Sequence, residues 1–432
     1  MTVQNSATID ASVREKSMLF QPLKIGELEL QHRVIQAPMT RSRGVPLNSE
    51  STPENPNRAW YPGDLMVNFY GQRATKGGLI ISEGMPPSLE SNGMPGVSGL
   101  WLPEQEAGWK RVVDAIHEKG GYVFGQIWHA GRTTIPQMTG SPTLCPSATV
   151  WDCPTETYMH PPVGSTERVR IADHPPIEMT VPHIKKTIQD YVTLAKKARE
   201  IGFDGLEVHA GNGYLPEQFL STNINKRTDE YGGSIEKNCT FTLELMDELS
   251  KAIGEEHLGV RLTPFGMMGQ ARSEKRIEIW SHLCENLAKR HPNLGYVHFI
   301  EPRYEQAISY EDKDKYLASQ GLTGVTLEPF RKLLGSIPVI CAGGFNNKTA
   351  WGVIESGKYD GLVFGRPFVS NPDFVHRLRN GIPLSPPDPS RFFGPFPDDN
   401  AIGYCDYPTA EEKMPEVVET PEEWPQIKTV FQ

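Results

Sequence analysis

A chain of 432 residues that is 38% hydrophobic and 22% charged has the composition of a globular protein, which excludes a disordered or fibrous one and permits a sizeable core. Its formal net charge of −10 at pH 7, with no long basic run, excludes unassisted binding to nucleic acid or anionic membranes, because both attract basic surfaces. The opening residues lack the pattern of a secretory or transit signal, and no apolar run reaches the roughly 18 residues of a membrane span, so a cytoplasmic location is expected. Six cysteines (Cys145, Cys153, Cys239, Cys284, Cys341, Cys405) are scattered without a CxxC pair. They read as reduced, mostly structural thiols, with no metal site.

Residues 1–18 read as an N-terminal extension. Eight short apolar, β-rich runs then follow, at 33–39, 78–85, 122–128, 205–210, 258–264, 296–302, 337–344 and 361–368. They are nearly continuous instead of alternating, as expected of parallel strands buried on both faces. Helical patterns lie between most of them, the clearest at 104–119, 182–202 and 273–290. In the second, His183, Ile184, Ile188, Tyr191, Val192, Ala195 and Ala198 share a face, and Gly202 and Gly254 mark helix ends.

Eight β-α repeats predict an α/β fold, a single-domain (β/α)8 TIM barrel over 19–381; a doubly wound sheet is the alternative, because spacing does not prove closure. The spacing breaks once. A Pro- and Thr-rich segment at 132–181 without helical period is expected to form a long loop or hairpin after the third strand, capping the C-terminal face. The bland alternative is a surface excursion. Residues 382–432 form a Pro-rich, then acidic tail expected to pack on the barrel.

Barrel ligands are met by the C-terminal ends of strands, and these ends are polar here. The first strand ends Ala37-Pro38-Met39-Thr40-Arg41, the third Gln126-Ile127-Trp128-His129, the fourth His209-Ala210-Gly211-Asn212-Gly213-Tyr214, and the fifth Arg261-Leu262-Thr263-Pro264. The seventh and eighth end in Gly343-Gly344 and Gly365-Arg366. Free amides on glycine turns beside one arginine suit a phosphate, which implies a phosphorylated cofactor.

The run HAGNGYLPEQFLSTNINKRTDEYGGS at 209–234 resembles the signature of the Old Yellow Enzyme family of FMN-dependent NAD(P)H oxidoreductases and ene-reductases, in a fungal- or plant-like form. APMTRSR from Ala37, GQRAT and IISEG between Gly71 and Gly84, GQIWHAGR from Gly125, GVRLTPFG from Gly259, EPR from Glu301, FGRPFVSNP from Phe364 and GYCDYP from Gly403 follow in family order. The similarity spans roughly residues 19–410.

The resemblance implies tightly bound, non-covalent FMN, with NADPH or NADH as reducing co-substrate. Gly343, Gly344, Gly365 and Arg366 would hold the phosphate, and Arg261 the N1/O2 edge of the flavin, where fixed positive charge favours the anionic reduced form. Gln126 would bond the pyrimidine edge and Thr40 the flavin O4, while Pro38, Met39 and Gly84 bring backbone close to the ring. His209 and Asn212 would donate to a substrate carbonyl or nitro oxygen. Hydride from N5 would then reach the β-carbon and a proton from Tyr214 the α-carbon, since a phenol with a pKa of about 10 is protonated at neutral pH.

Trp128 and Phe393 resemble substrate-pocket walls, although ordinary packing explains an aromatic there equally. Two departures stand out: Asn238 and Thr240 occupy positions where the family often has arginine, and His32 one where asparagine is common. Local salt bridges, not activity, are what these put in doubt. The expected function is a ping-pong ene-reductase of small electron-poor alkenes, monomeric or homodimeric. The alternatives are a pathway-specific flavin reductase or isomerase, and a flavin-binding protein without turnover.

Overall fold

In the computed structural model, which describes residues 10–413 and 420–421, the eight expected strands are present. They are β1 (Val34–Gln36), β2 (Leu79–Met85), β3 (Tyr122–Ile127), β4 (Gly205–Ala210), β5 (Leu258–Leu262), β6 (Tyr296–Ile300), β7 (Val339–Ala342) and β8 (Gly361–Phe364). All pair in parallel, and β8 returns to β1, so the sheet closes as a barrel and the doubly wound alternative falls away. The strands read as continuous apolar runs because one face of each meets the barrel interior and the other a layer of helices.

Inside, two layers are distinct. Ile35, Leu79, Ile81, Phe124, Tyr296, Ile340 and Val363 fill the lower half together with Ile25 and Leu30, which come from a hairpin of Leu23–Ile25 against Leu28–Leu30 that closes the lower end. Two residues further along β3, β4 and β6 the lining turns polar. Gln126 Nε2 donates to Glu207 at 2.7 Å and His298 Nδ1 donates to the other oxygen at 2.8 Å. The register that sets Glu207 opposite Gln126, and Arg261 opposite both His209 and His298, builds this layer. A one-residue slip would turn every one of these groups outward.

The helix expected after the capping segment spans Val181–Glu200, with the Thr180 side chain accepting from the His183 N–H. Its buried face carries Ile184, Thr187, Ile188, Tyr191, Val192, Ala195 and Ala198. His183 is not part of that face: in the first turn it meets Glu90 at 3.2 Å at the edge of the barrel. The helix expected from 273 starts later, as Arg276–Arg290. The backbone N–H groups of Arg272 and Glu274 are taken by the side chains of Asn223 and Thr222, and the chain turns at 274–275 before the helix begins.

The 132–181 segment contains a helical turn at Pro136–Thr139 and a two-residue parallel pairing of Leu144–Cys145 with Ile177–Glu178. It has a small core of its own, made by Ile135, Met138, Trp151, Tyr158 and Ile171. Asp152 N–H donates to Gln270 Oε1 at 2.8 Å, and Met159 packs on a cluster that includes Trp128 and Tyr214. The segment thus touches the C-terminal ends of the strands. The described part of the tail is clasped by three buried arginines that donate to its carbonyls: Arg41 to Phe392 and Gly403, Arg43 to Asn400, and Arg73 to Tyr404. Residues 1–9, 414–419 and 422–432, parts of the expected extension and tail, lie outside the described residues. Among the described residues no helix is long and apolar enough to cross a membrane.

Candidate active site

The C-terminal ends of the strands surround one cavity. β1 leads into Pro38, Met39 and Thr40, β2 presents Gly84, and β3 presents Gln126 and Trp128. β4 and the turn after it supply His209, Asn212 and Tyr214, β5 supplies Arg261, and the ends of β7 and β8 supply Gly343, Gly344, Gly365 and Arg366. Phe393 arrives from the clasped tail, so every candidate residue from the sequence lines the same space.

Local backbone explains several of these placements. A Cβ on Gly84 would overlap the Trp128 indole, so only glycine lets that ring lie across β2. Gly343 and Gly344 have φ of +152° and +74°, which turns the chain sharply and leaves its amides to the cavity. Asn212 sits in left-handed conformation at φ +55°. Such a value is tolerated by asparagine better than by most residues.

Electrostatics assign the protons. Burial, with Arg261 and His298 nearby, holds the His209 imidazole well below its usual range, so it is neutral. The Gly211 N–H donates to His209 Nδ1 at 3.4 Å, which leaves the proton on Nε2, the nitrogen available to the cavity. Tyr214 packs edge-on against Trp128 at 4.7 Å and His209 at 4.8 Å between centroids. Burial pushes its phenol up to about 12, so it holds its proton throughout the neutral range.

Arg261 is buried, and its Nε has no hydrogen-bond partner in the protein. A buried guanidinium donor without an acceptor calls for one from a ligand. Burial lowers its pKa while Glu207 acts against that, so the charge is retained next to a carboxylate. Gln126, held by Glu207 through its nitrogen, is left with its oxygen as acceptor. The cavity therefore offers a glycine and arginine cradle at one end and an acceptor and cationic donor at the other. That set fits a flavin mononucleotide.

The cavity also contains residues that the sequence did not single out. Tyr304 and Gln306 follow β6 and line the wall, with Gln306 Nε2 donating to the Tyr304 hydroxyl at 2.6 Å and Arg366 approaching it at 3.4 Å. Their one signal was position, directly after the EPR motif. Met94, Met268 and Phe392 also line the space, from loops with no periodic pattern.

The sequence profile of the family described as NADH:flavin oxidoreductase / NADH oxidase matches residues 18–385. The chain belongs to this family, that of the Old Yellow Enzymes. Among its relatives, the flavin oxidoreductase hxnT of Emericella nidulans is 41% identical over 399 residues, covering 91% of this chain and 98% of the relative. The 12-oxophytodienoate reductase 1 of Oryza sativa subsp. japonica is 36% identical over 402 residues, covering 91% and 93%. Morphinone reductase in complex with tetrahydroNAD superposes with a TM-score of 0.74 at 36% identity, over 90% of this chain and 97% of that one. This Old Yellow Enzyme homologue is accordingly an oxidoreductase, and its cofactors are FMN and a nicotinamide nucleotide.

Of its departures from the family pattern, Asn238 is buried and donates to the Phe219 carbonyl at 3.0 Å, and His32 bonds Thr75 at 2.9 Å. Both bond neutral partners and neither lines the cavity.

Proposed function

We propose that this enzyme is an ene-reductase, reducing alkenes made electron-poor by a carbonyl or nitro group at the expense of NADPH or NADH. The observation that supports this reading best is that the neutral His209, Asn212 and the protonated Tyr214 line one cavity together with Arg261 and Gln126. FMN, when bound, would supply the two-electron chemistry that links oxidation of the nicotinamide to reduction of the alkene.

The protein's own groups do the rest. His209 and Asn212 donate to the substrate oxygen, and drawing electron density through that oxygen makes the β-carbon electrophilic. Tyr214 keeps a proton available for the α-carbon, because its burial suppresses ionisation. Arg261 and Gln126 would hold the polar ring edge of FMN, Thr40, Pro38, Met39 and Gly84 would lie along the ring, and Gly343, Gly344, Gly365 and Arg366 would hold the phosphate. Trp128 and Phe393 exclude water from the space where substrate and nicotinamide bind in turn.

The test is anaerobic turnover of NADPH with 2-cyclohexenone by the purified protein, alongside Tyr214→Phe. The variant is expected to bleach with NADPH like the wild type and to lose about 100-fold in alkene reduction. Unchanged alkene turnover in the variant overturns the role of Tyr214, and a protein that cannot be loaded with FMN overturns the whole reading.

A further inference from the structure

Two consecutive residues of the turn after β4 are left-handed, Asn212 at φ +55° and Gly213 at +73°. For asparagine this conformation persists only where the surroundings hold it. The Asn212 N–H donates to Thr263 Oγ1 at 2.9 Å, and the Gly213 N–H donates to Glu217 Oε2 at 2.5 Å. The Thr263 hydroxyl places its own proton between the two oxygens of Glu217, 3.1 Å from each. The two amides, the hydroxyl and the carboxyl group thus form a closed ring of hydrogen bonds beneath the turn. Gln218 adds a further tie, donating to the Gly213 carbonyl at 2.7 Å.

This ring is built into the barrel wall. Ala210 lies opposite Leu262 in the β4 and β5 pairing, so the next step brings Gly211 against Thr263, where a Cβ would come within 2.7 Å of Oγ1. A Cβ on Gly213 would overlap the Met268 carbonyl. Thr263 and Glu217 are 2% and 1% exposed, and neither lines the cavity. A carboxyl group this deeply buried is costly unless its polar atoms are paired; here the partners are the turn itself and Thr263.

We propose that Thr263 and Glu217 are positioning residues for Asn212. They hold the left-handed turn that aims the Asn212 amide toward the point reached by His209 Nε2, and so set affinity for oxygen-bearing ligands without touching them. This rests on the ligand-binding role given to Asn212 above.

The experiment compares Thr263→Val, Thr263→Ser, Glu217→Met and Asn212→Ala as FMN-loaded proteins. The readouts are FMN content, the dissociation constant of 4-hydroxybenzaldehyde from its long-wavelength absorbance, and kcat and KM for 2-cyclohexenone. Thr263→Val is expected to keep wild-type FMN content and to weaken phenol binding about tenfold, the effect of leaving one buried N–H unpaired, with KM raised in step. Thr263→Ser, which restores the hydroxyl, is expected to bind like the wild type.

Wild-type phenol affinity in Thr263→Val, with Asn212→Ala impaired, overturns this proposal alone. Wild-type affinity in Asn212→Ala overturns the reading of the site on which it rests. Should Thr263→Val fail to fold, Glu217→Met decides, because it keeps the shape of the side chain but removes the acceptor of the Gly213 N–H and of Thr263: weakened phenol binding supports the proposal and unchanged binding overturns it.

Discussion

At the scale of the residue, the cavity depends on atoms that are absent as much as on those present. Gly84 lies under Trp128 where no side chain fits, and Trp128 in turn packs against Tyr214. Gly84→Ala is therefore expected to push the indole off β2 and to lower FMN affinity at least tenfold, roughly the effect of one overpacked contact of 1–3 kcal/mol. Fluorescence titration of the apoprotein with FMN reads it directly, and an unaltered dissociation constant would show that Trp128 has room to move.

Residue chemistry was legible in the sequence wherever a polar group ended an apolar run, as with Gln126, His209 and Arg261. Thr263 stood at such an end too, but its importance was hidden. Its partners Asn212 and Glu217 belong to the turn and short helix after the neighbouring strand, and only the β4 and β5 register brings them together.

At the scale of the element, the strands were readable because burial on two faces leaves an uninterrupted apolar signature, whereas helix starts depended on partners elsewhere in the chain. The start at Arg276 is set by Thr222 and Asn223, which no local pattern reports. Tyr304 and Gln306 were missed for a related reason: the stretch between β6 and the next helix has neither period to betray which side chains turn inward.

The tail clasp belongs to this scale. Arg73, 1% exposed, donates to the carbonyls of Phe368, Phe69, Val369 and Tyr404, and the Tyr404 ring stacks on Phe69 at 4.3 Å. Arg73→Met removes the donors and leaves those carbonyls buried. A loss of about 3 kcal/mol is expected, measured as a lowered denaturant midpoint with unchanged slope. KM for alkene is expected to rise as well, because the same tail carries Phe393. A variant with native stability would mean that Arg41, Arg43 and the ring contacts hold the tail without Arg73.

At the scale of the whole molecule, opposing groups of buried ionisable side chains shape stability against pH. Burial holds His32, His129 and His160 down to about 4, 3 and 4, below their ordinary 6.5. Their contribution is present above pH 6.5 and is lost as pH falls through those values. Burial pushes Glu83 and Glu217 the other way, up to about 8 from 4.5, so their contribution is present below pH 4.5 and is lost as pH rises through 8. Between 4.5 and 6.5 the three imidazoles outweigh the two carboxylates, and from 6.5 to 8 the carboxylates act alone. Thermal denaturation is expected to show a maximum near pH 6.5, and Glu83→Gln to flatten the decline above it. A curve that still climbs from pH 6.5 to 8 would contradict this assignment.

The hairpin at Leu23–Leu30, which seals the lower end of the barrel with Ile25 and Leu30, makes the molecule a well and not a pipe. Whatever reaches the floor arrives and departs through the mouth at the C-terminal ends of the strands, where Phe392 and Phe393 of the tail line the wall. On the function proposed above, reductant and substrate then share a doorway as well as a seat, and the departure of each guest sets how soon the next is served.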